Sequence, residues 1–294
     1  MKISVLSTTN RNDELIIRAL DSLNYHDTDN IEFLINLEKF DDEIIKKIQI
    51  KGYPNLKIFQ FEGGMCQTYN GLIRESSGEY IARVDDDDLY LPNRLGIQSN
   101  YLDLKQEVDI VGASMYLKSG DQIRFDGFYY PTHEQILLAA LFNNNIFAHP
   151  VTMARRSFFD KLLYEDSPSV EDYDLWIRGI CQGKKYANIE IPLFVYTEPN
   201  YSIEKNLKQF DSINISKAKL LKYLTNHDEK TINEILYILD ITKAIDKNSD
   251  KQRQSFVILI KSLVDFGFGL GMIENIFNKF KPNLLDLKSS TENN

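Results

Sequence analysis

Asp85, Asp86, Asp87 and Asp88 stand in a row, preceded by Gly-Glu-Tyr-Ile-Ala-Arg-Val (78–84) and followed by Leu-Tyr-Leu-Pro-Asn-Arg-Leu (89–95). Four adjacent carboxylates repel one another and stay ionised together only beside a counter-charge. A hard divalent cation, Mg²⁺ or Mn²⁺, held by one or two carboxylates and completed by a phosphorylated substrate, supplies it. The plainer alternative is a solvated acidic loop. Here, however, the run is expected between a buried strand, Tyr80 to Val84, and a helix opened by Pro92. A second acidic site is Val170-Glu171-Asp172-Tyr173-Asp174-Leu175-Trp176. Its carboxylates fall in the first turn of a helix, where backbone N–H groups favour anions. There they either cap the helix or aim a base into a cleft. A metal-holding cluster with a separate carboxylate suits electrophile activation and general base catalysis. The cation stabilises a leaving pyrophosphate, and the base takes a proton from an incoming hydroxyl.

Two further segments carry weaker signals. In Glu62-Gly63-Gly64-Met65-Cys66-Gln67-Thr68-Tyr69-Asn70-Gly71 the glycines let backbone approach a ligand, and the helix after them presents N–H groups to an anion. An ordinary strand-to-helix turn has the same pattern. His149, just before an expected strand, either faces the cleft or is a satisfied structural residue. Arg155 and Arg156 pair either with carboxylates of the fold or with a phosphate.

These residues need elements to position them. Ile3 to Leu6, Ile31 to Leu37, Leu56 to Phe61, Tyr80 to Val84 and Asp109 to Ala113 are expected as strands, separated by stretches with helical apolar spacing. A βαβα order implies α/β architecture with a mostly parallel central sheet covered on both faces. Ligands of such sheets bind beyond the carboxyl ends of the strands. Thr8, Thr9, Asn36, Glu38, Gly63, Gly64 and Asp85 all fall there. The middle of the chain reads as a hairpin, Met115 to Tyr130, with further strands at Val151 to Ala154, Tyr186 to Ile189 and Leu193 to Tyr196. After residue 203 the pattern is helical: Glu204 to Leu224, Glu229 to Lys247, Gln252 to Phe266 and Met272 to Phe280.

Composition narrows the class. With 294 residues and 43% apolar content the chain can bury a large core. A net charge of −9 argues against a general nucleic-acid binder, whose phosphate contacts need a basic face. Cys66 and Cys181 form no disulfide framework and fit a reducing compartment. The N-terminus does not read as a signal peptide, and no apolar run reaches the roughly 20 residues of a membrane span. A cytoplasmic protein is expected, acting in solution or at the inner face of the cell membrane.

On these residues the chain resembles the inverting family 2 glycosyltransferases of the GT-A fold, over residues 1–202. The acidic run with Leu-Pro-Asn-Arg-Leu after it is similar to the segment around the family's Asp-x-Asp motif. His149-Pro150, Arg155-Arg156 and Glu171 to Trp176 resemble its downstream landmarks, in the same order. The resemblance implies that Asp87 is the principal metal ligand. Asp85, with Asp86 near it, would contact the ribose and the metal-bound diphosphate. Asp172 would be the catalytic base, with Glu171 beside it. Thr8 and Thr9 match the first nucleotide-binding loop, and Asn70 the asparagine of the glycine-rich segment. Three departures fall around the expected nucleobase pocket: no proline in the first loop, Asn36-Leu37-Glu38 in place of an acidic pair, and Tyr69 in place of an arginine. Lys205 is the nearest basic candidate for the pyrophosphate.

The expectation is a metal-dependent inverting glycosyltransferase of the hexosyl or N-acetylhexosaminyl type, serving bacterial cell-surface polysaccharide synthesis. A GT-A domain at 1–202 would bind a nucleotide-sugar, with a UDP-sugar the expected donor and Thr8, Thr9, Glu38, Gly64, Asn70, Asp85 and Asp86 around it. The acceptor would be a saccharide or a lipid-linked saccharide. The helical region at 203–294 would pack on the first domain, closing the acceptor side, forming a homo-oligomer or touching a membrane surface. A nucleotidyltransferase acting on a sugar phosphate, and a non-catalytic nucleotide-sugar-binding protein, are the competing classes. The loop Ser7-Thr8-Thr9-Asn10-Arg11 lacks the glycines that a triphosphate loop needs.

Overall fold

The computed structural model describes residues 3–11, 14–23, 30–38, 42–126, 130–142, 146–167, 170–197, 203–239 and 250–280. Within these, the side chains of 203–208, 210, 250, 251, 253, 279 and 280 lie outside the description. That excludes Lys205, the lysine expected near the pyrophosphate, and the stretch expected to extend the second C-terminal helix to Lys247.

Among the described residues nine strands form one sheet: β1 (Ile3–Thr9), β2 (Ile31–Leu37), β3 (Lys57–Phe59), β4 (Tyr80–Asp85), β5 (Leu89–Tyr90), β6 (Ile110–Ser119), β7 (Gln122–Asp126), β8 (Met153–Arg155) and β9 (Tyr186–Thr197). The order is β3-β2-β1-β4-β8-β6-β9-β5, with β7 paired to β6. β1 runs parallel to β2 and β4, and β6 parallel to β9; β8, β5 and β7 are antiparallel to their neighbours. The sheet is therefore mixed but mostly parallel at its centre.

Ten α-helices among the described residues surround it: α1 (Leu15–Ser22), α2 (Asp42–Ile50), α3 (Met65–Glu75), α4 (Arg94–Leu104), α5 (His133–Phe142), α6 (Glu171–Cys181), α7 (Ile203–Thr225), α8 (Glu229–Leu239), α9 (Asp250–Phe266) and α10 (Leu270–Phe280). Strand alternation assigns the two faces. Val5, Phe33 and Val84 meet α1, α2 and α4 through Ile16, Leu20, Ile48 and Leu95. Leu6, Leu34 and Ile81 belong to the opposite cluster, with Leu72 of α3, Leu138 of α5 and Trp176 of α6. Leu220, Ile235, Leu259 and Ile273 from the last four helices join that second cluster. Phe277 of α10 stacks edge-on against Phe142 of α5, with ring centroids 5.1 Å apart. Asp174 of α6, itself buried, receives Arg178 Nε at 2.6 Å, Lys219 Nζ at 2.8 Å and the Ser216 hydroxyl at 3.2 Å. α7 is thereby tied to the helix that carries the second acidic site.

Three expectations about elements are corrected. The helix after the acidic run begins at Arg94, not Pro92, because Asn93 turns the backbone left-handed at φ 61°. Between the run and that helix lies β5, whose Leu89 and Tyr90 pair with Val195 and Phe194 of β9. The two strands expected at 186–189 and 193–196 are one strand, β9. Pro192 is accommodated where the register with β6 shifts between Ala113 and Met115, and proline is tolerated at such irregularities because they need no ladder N–H.

One charge sits inside β2. Glu32 is 1% exposed and accepts from Ser4 Oγ (2.6 Å), Ser77 N (2.6 Å), Ser77 Oγ (2.9 Å) and Lys57 Nζ (3.3 Å). Burial pushes its carboxyl up, but these donors together outweigh it and hold the group at about 2. Its stabilising contribution is thus complete above the unfolded value near 4.5 and is lost as pH falls towards 2. Glu32→Gln is expected to remove about 3 kcal/mol at pH 7 and to lower the thermal midpoint by roughly 6 °C or more. The stabilities of parent and variant, measured by denaturant titration, should converge as pH falls from about 5 to about 2. A difference independent of pH would show that the charge is not what stabilises this strand.

Candidate active site

β4 delivers the acidic run to the carboxyl end of the sheet, beside Thr8 of β1, its register partner. Arg83 and Asp85, two residues apart on one strand, share a face. Arg83 Nε donates to Asp85 Oδ1 at 2.9 Å, and its guanidinium lies 4.2 Å from the centre of the Tyr69 ring. The backbone N–H of Asp85 donates to the Tyr90 hydroxyl at 2.7 Å, which closes the turn on β5. The Thr9 hydroxyl donates to Asp86 Oδ2 and accepts the Arg11 N–H at 3.1 Å. Arg11 Nη2 pairs with Asp87 Oδ2 at 3.1 Å at the surface. Asp88 is fully buried and accepts the Thr197 N–H at 2.9 Å, while the Thr197 hydroxyl donates to the Asp87 carbonyl at 2.9 Å.

The quartet is therefore not four bare anions. Burial, and then the charge of Asp85, push Asp88 up to about 8, so it carries its proton at neutral pH. Burial raises Asp86 as well. Asp85 is matched by Arg83. Asp87 remains the accessible carboxylate, about a third exposed. Its oxygens, with those of Asp85, suit a hard cation. Among the described residues no three His, Cys, Asp or Glu side chains converge on one point. A cation here would thus take most of its ligands from phosphate and water, as Mg²⁺ habitually does.

The second site is built by α6. Asp172 lies in its first turn, with the Tyr173 N–H donating to Oδ1 at 2.7 Å. Burial raises its carboxyl above the usual range, against the pull of that N–H and of Arg83. Asp172 Oδ2 is 3.8 Å from Nδ1 of His149. His149 is in a short 3₁₀ turn (His149–Val151) before β8; it is buried, lies against the Arg83 guanidinium, and meets the Tyr164 hydroxyl through Nε2 at 2.7 Å. Burial and Arg83 keep its ring neutral. Glu171 lines a cleft of about 250 Å³ with Met65, Cys66, Asp166 and Ser167. A larger cavity of about 810 Å³ between α8 and α9 contains none of these carboxylates.

The remaining expected residues divide. Thr8, through its hydroxyl, meets Asn36 Nδ2 at 3.4 Å, and Asn36 Oδ1 accepts the Phe61 N–H at 2.7 Å, so the ends of three neighbouring segments are stitched together. Glu38 donates its backbone N–H to the Thr9 carbonyl at 3.0 Å and leaves its side chain exposed. Gly63 has φ 112°, open to glycine but strained for other residues, and Gly64 caps α3. Asn70 gives both ends of its amide to the backbone of Tyr164, at 2.8 and 2.9 Å. Arg155 and Arg156 face away from a phosphate role: they hold the carbonyls of Leu102, Lys105, Val108 and Gly78. Arg83 and Tyr164 were not anticipated at the site, and Tyr69, expected near the nucleobase, lies under the Arg83 guanidinium. A charged residue in a buried strand, two positions before a carboxylate, was the available signal for Arg83.

The profile of the family described as "Glycosyl transferase family 2" matches residues 4–163. The O-antigen biosynthesis glycosyltransferase WbnJ of Escherichia coli is 30% identical over 232 residues, covering 76% of this chain and 90% of its own. Among solved structures, S. aureus TarS 1-349 in complex with UDP-GlcNAc superposes with a TM-score of 0.63 at 17% identity, over 94% of this chain and 83% of TarS 1-349. The mannosyltransferase PcManGT from Pyrobaculum calidifontis, in complex with GDP-Man and Mn²⁺, gives 0.56 at 14% identity, over 98% and 82%. At such identities the two structures establish the shared fold.

Proposed function

Because this chain belongs to glycosyl transferase family 2 and has its GT-A type of fold, we propose that it transfers a sugar from a nucleoside diphosphate sugar to a hydroxyl of a saccharide or lipid-linked saccharide, with inversion at the anomeric carbon. The donor class agrees with the UDP-GlcNAc and GDP-Man bound by TarS and PcManGT, and a UDP-sugar is the donor we put first. The observation that carries the mechanism is the position of Asp172, linked to Asp85 through one buried Arg83–His149 pair.

Asp172 takes the proton from the acceptor hydroxyl at Oδ2, the oxygen not engaged by the Tyr173 N–H. Burial makes this carboxylate a stronger base than one in water. Thr8, Thr9 and Asp86 line the strand ends where the nucleotide would lie, and Asp85 would orient its ribose and diphosphate. Asp87, assisted by Asp85, would hold Mn²⁺ or Mg²⁺, which when bound offsets the negative charge developing on the departing diphosphate. Among the described residues no helix is long and apolar enough to cross a membrane. The C-terminal helices pack against α5 and α6, so we place them on the acceptor side of Asp172.

Thermal-shift screening of UDP-, GDP-, CMP- and dTDP-sugars with Mn²⁺ tests the reading. One nucleotide class is expected to stabilise the protein, by about 2.7 kcal/mol at a hundredfold excess over its dissociation constant. EDTA should remove that gain. A gain unchanged by EDTA would refute the metal role, and a product retaining the donor's anomeric configuration by proton NMR would refute inversion.

A further inference from the structure

The two acidic sites are joined by a buried path that the transfer reaction does not by itself require. Arg83 gives Nε to Asp85 and rests its guanidinium on the Tyr69 ring, while Nη1 lies against the imidazole of His149. Nη1 touches both ring nitrogens, and one of them, Nδ1, is also 3.8 Å from Asp172 Oδ2. His149 sits in an aromatic box: Trp176 meets it edge-on with centroids 5.5 Å apart, Tyr164 lies at 5.5 Å and Tyr69 at 6.4 Å. Tyr164 is in turn fixed at both backbone polar atoms by Asn70. The Tyr164 wall of the box is therefore held from the far side by Asn70.

The ring's placement has a physical consequence. A guanidinium pairs readily with any carboxylate within reach, often through two hydrogen bonds. Arg83 is paired with Asp85 through Nε, and the imidazole it touches through Nη1 is the one that neighbours Asp172. Without the ring, Asp172, whose carboxyl already feels the charge of Arg83, is open to pair with it. An ion pair there would occupy the oxygen that must accept the proton and would weaken its basicity. It would also draw Arg83 from Asp85. A charged spacer would serve no better, and His149 is neutral in its box.

We propose that His149 is a positioning residue, a spacer that keeps the Arg83 guanidinium on Asp85 and off Asp172. This rests on the reading of Asp172 as the base of the transfer reaction. The groups facing Asp172 are His149 from the turn before β8, Tyr164 from the segment before α6, Arg83 and Asp85 from β4, and Glu171 on its own helix.

The test compares His149→Ala with His149→Phe, which refills the aromatic box with a neutral ring of similar size. The full chain is assayed with Mn²⁺ and whichever of the UDP-, GDP-, CMP- or dTDP-sugars the parent turns over, scored by nucleotide release. With alanine, kcat is expected to fall about 10²-fold, the loss typical of a displaced reacting group, while donor KM stays near the parent value. The acid limb of the kcat–pH profile should move to lower pH, because Asp172 now faces a cation directly. With phenylalanine, kcat should recover to within about tenfold of the parent, with the limb at its original position. A purely structural role would lower stability in both variants without moving the limb. An alanine limb that stays in place or moves up, or a phenylalanine variant as impaired as alanine, overturns the proposal. A parent that turns over no nucleotide-sugar overturns the proposed function itself, and a folded alanine variant binding the nucleotide as the parent does separates the two failures.

Discussion

Asp172→Asn is expected to lower kcat by about 10² to 10⁴, equivalent to about 3 to 5 kcal/mol of transition-state stabilisation, with donor affinity little changed. Asparagine keeps the shape of the side chain and still offers an oxygen to the Tyr173 N–H, the hydrogen bond that orients Asp172 at 2.7 Å. What it lacks is the capacity to take a proton. The loss of one negative charge from the first turn of α6 is worth only about 0.3 to 1 kcal/mol of helix stability, too little to unfold the chain. Turnover and folding are thus separable in this variant. The parent should also show a signature of the same group. Because burial raises Asp172, its base form is lost at a higher pH than for an ordinary carboxylate, so kcat rises with pH through that elevated value. The measurement is kcat and KM for nucleotide release across pH, in parent and variant. Transfer by the asparagine variant at the parent rate would remove Asp172 from the mechanism.

Asp87→Ala is expected to reduce turnover at least 10³-fold, about 4 kcal/mol, and to abolish the Mn²⁺-dependent stabilisation by nucleotide. Its fold should remain intact. Asp87 is about a third exposed, and its side-chain partner is the surface guanidinium of Arg11. Exposed pairs of this kind contribute about 0 to 1 kcal/mol. Asp88, one residue on, provides the contrast. It is fully buried and holds the end of β9 through the Thr197 N–H, so its removal should show in stability rather than in metal response. Calorimetric titration of nucleotide into the Asp87 variant, with and without Mn²⁺, decides the point. Unaltered nucleotide binding that still responds to Mn²⁺ would place the cation elsewhere.

The layout of this site was legible wherever the signal is local. Apolar runs such as Ile31 to Leu37 and Ile3 to Leu6 mark strands because each residue is buried on one face or the other. The first-turn carboxylates of α6 are visible because the apolar face that follows them, Leu175, Trp176 and Ile177, is regular. β5 escaped notice because two residues give no periodicity; it exists through its pairing with Val195 and Phe194, more than a hundred positions later. Asn93 hid the true start of α4, since a left-handed residue there shifts the helix by two positions from the proline. The same holds for Asn70, whose amide is engaged by a backbone 94 residues away.

From the sequence alone come the α/β alternation, the acidic turn at the end of β4 and the carboxylates that open α6, because each is a short-range pattern of polarity and spacing. The tertiary structure alone decides the surroundings of each of these carboxylates. Asp88 keeps its proton because packing removes it from water beside Asp85, and Asp87 stays open because its partner lies at the surface. It also brings His149 against Arg83 and near Asp172, from segments 66 and 23 residues apart in the chain. Solvation and counter-charge depend on which side chains meet in space, and that is set by how the whole sheet and its helices pack.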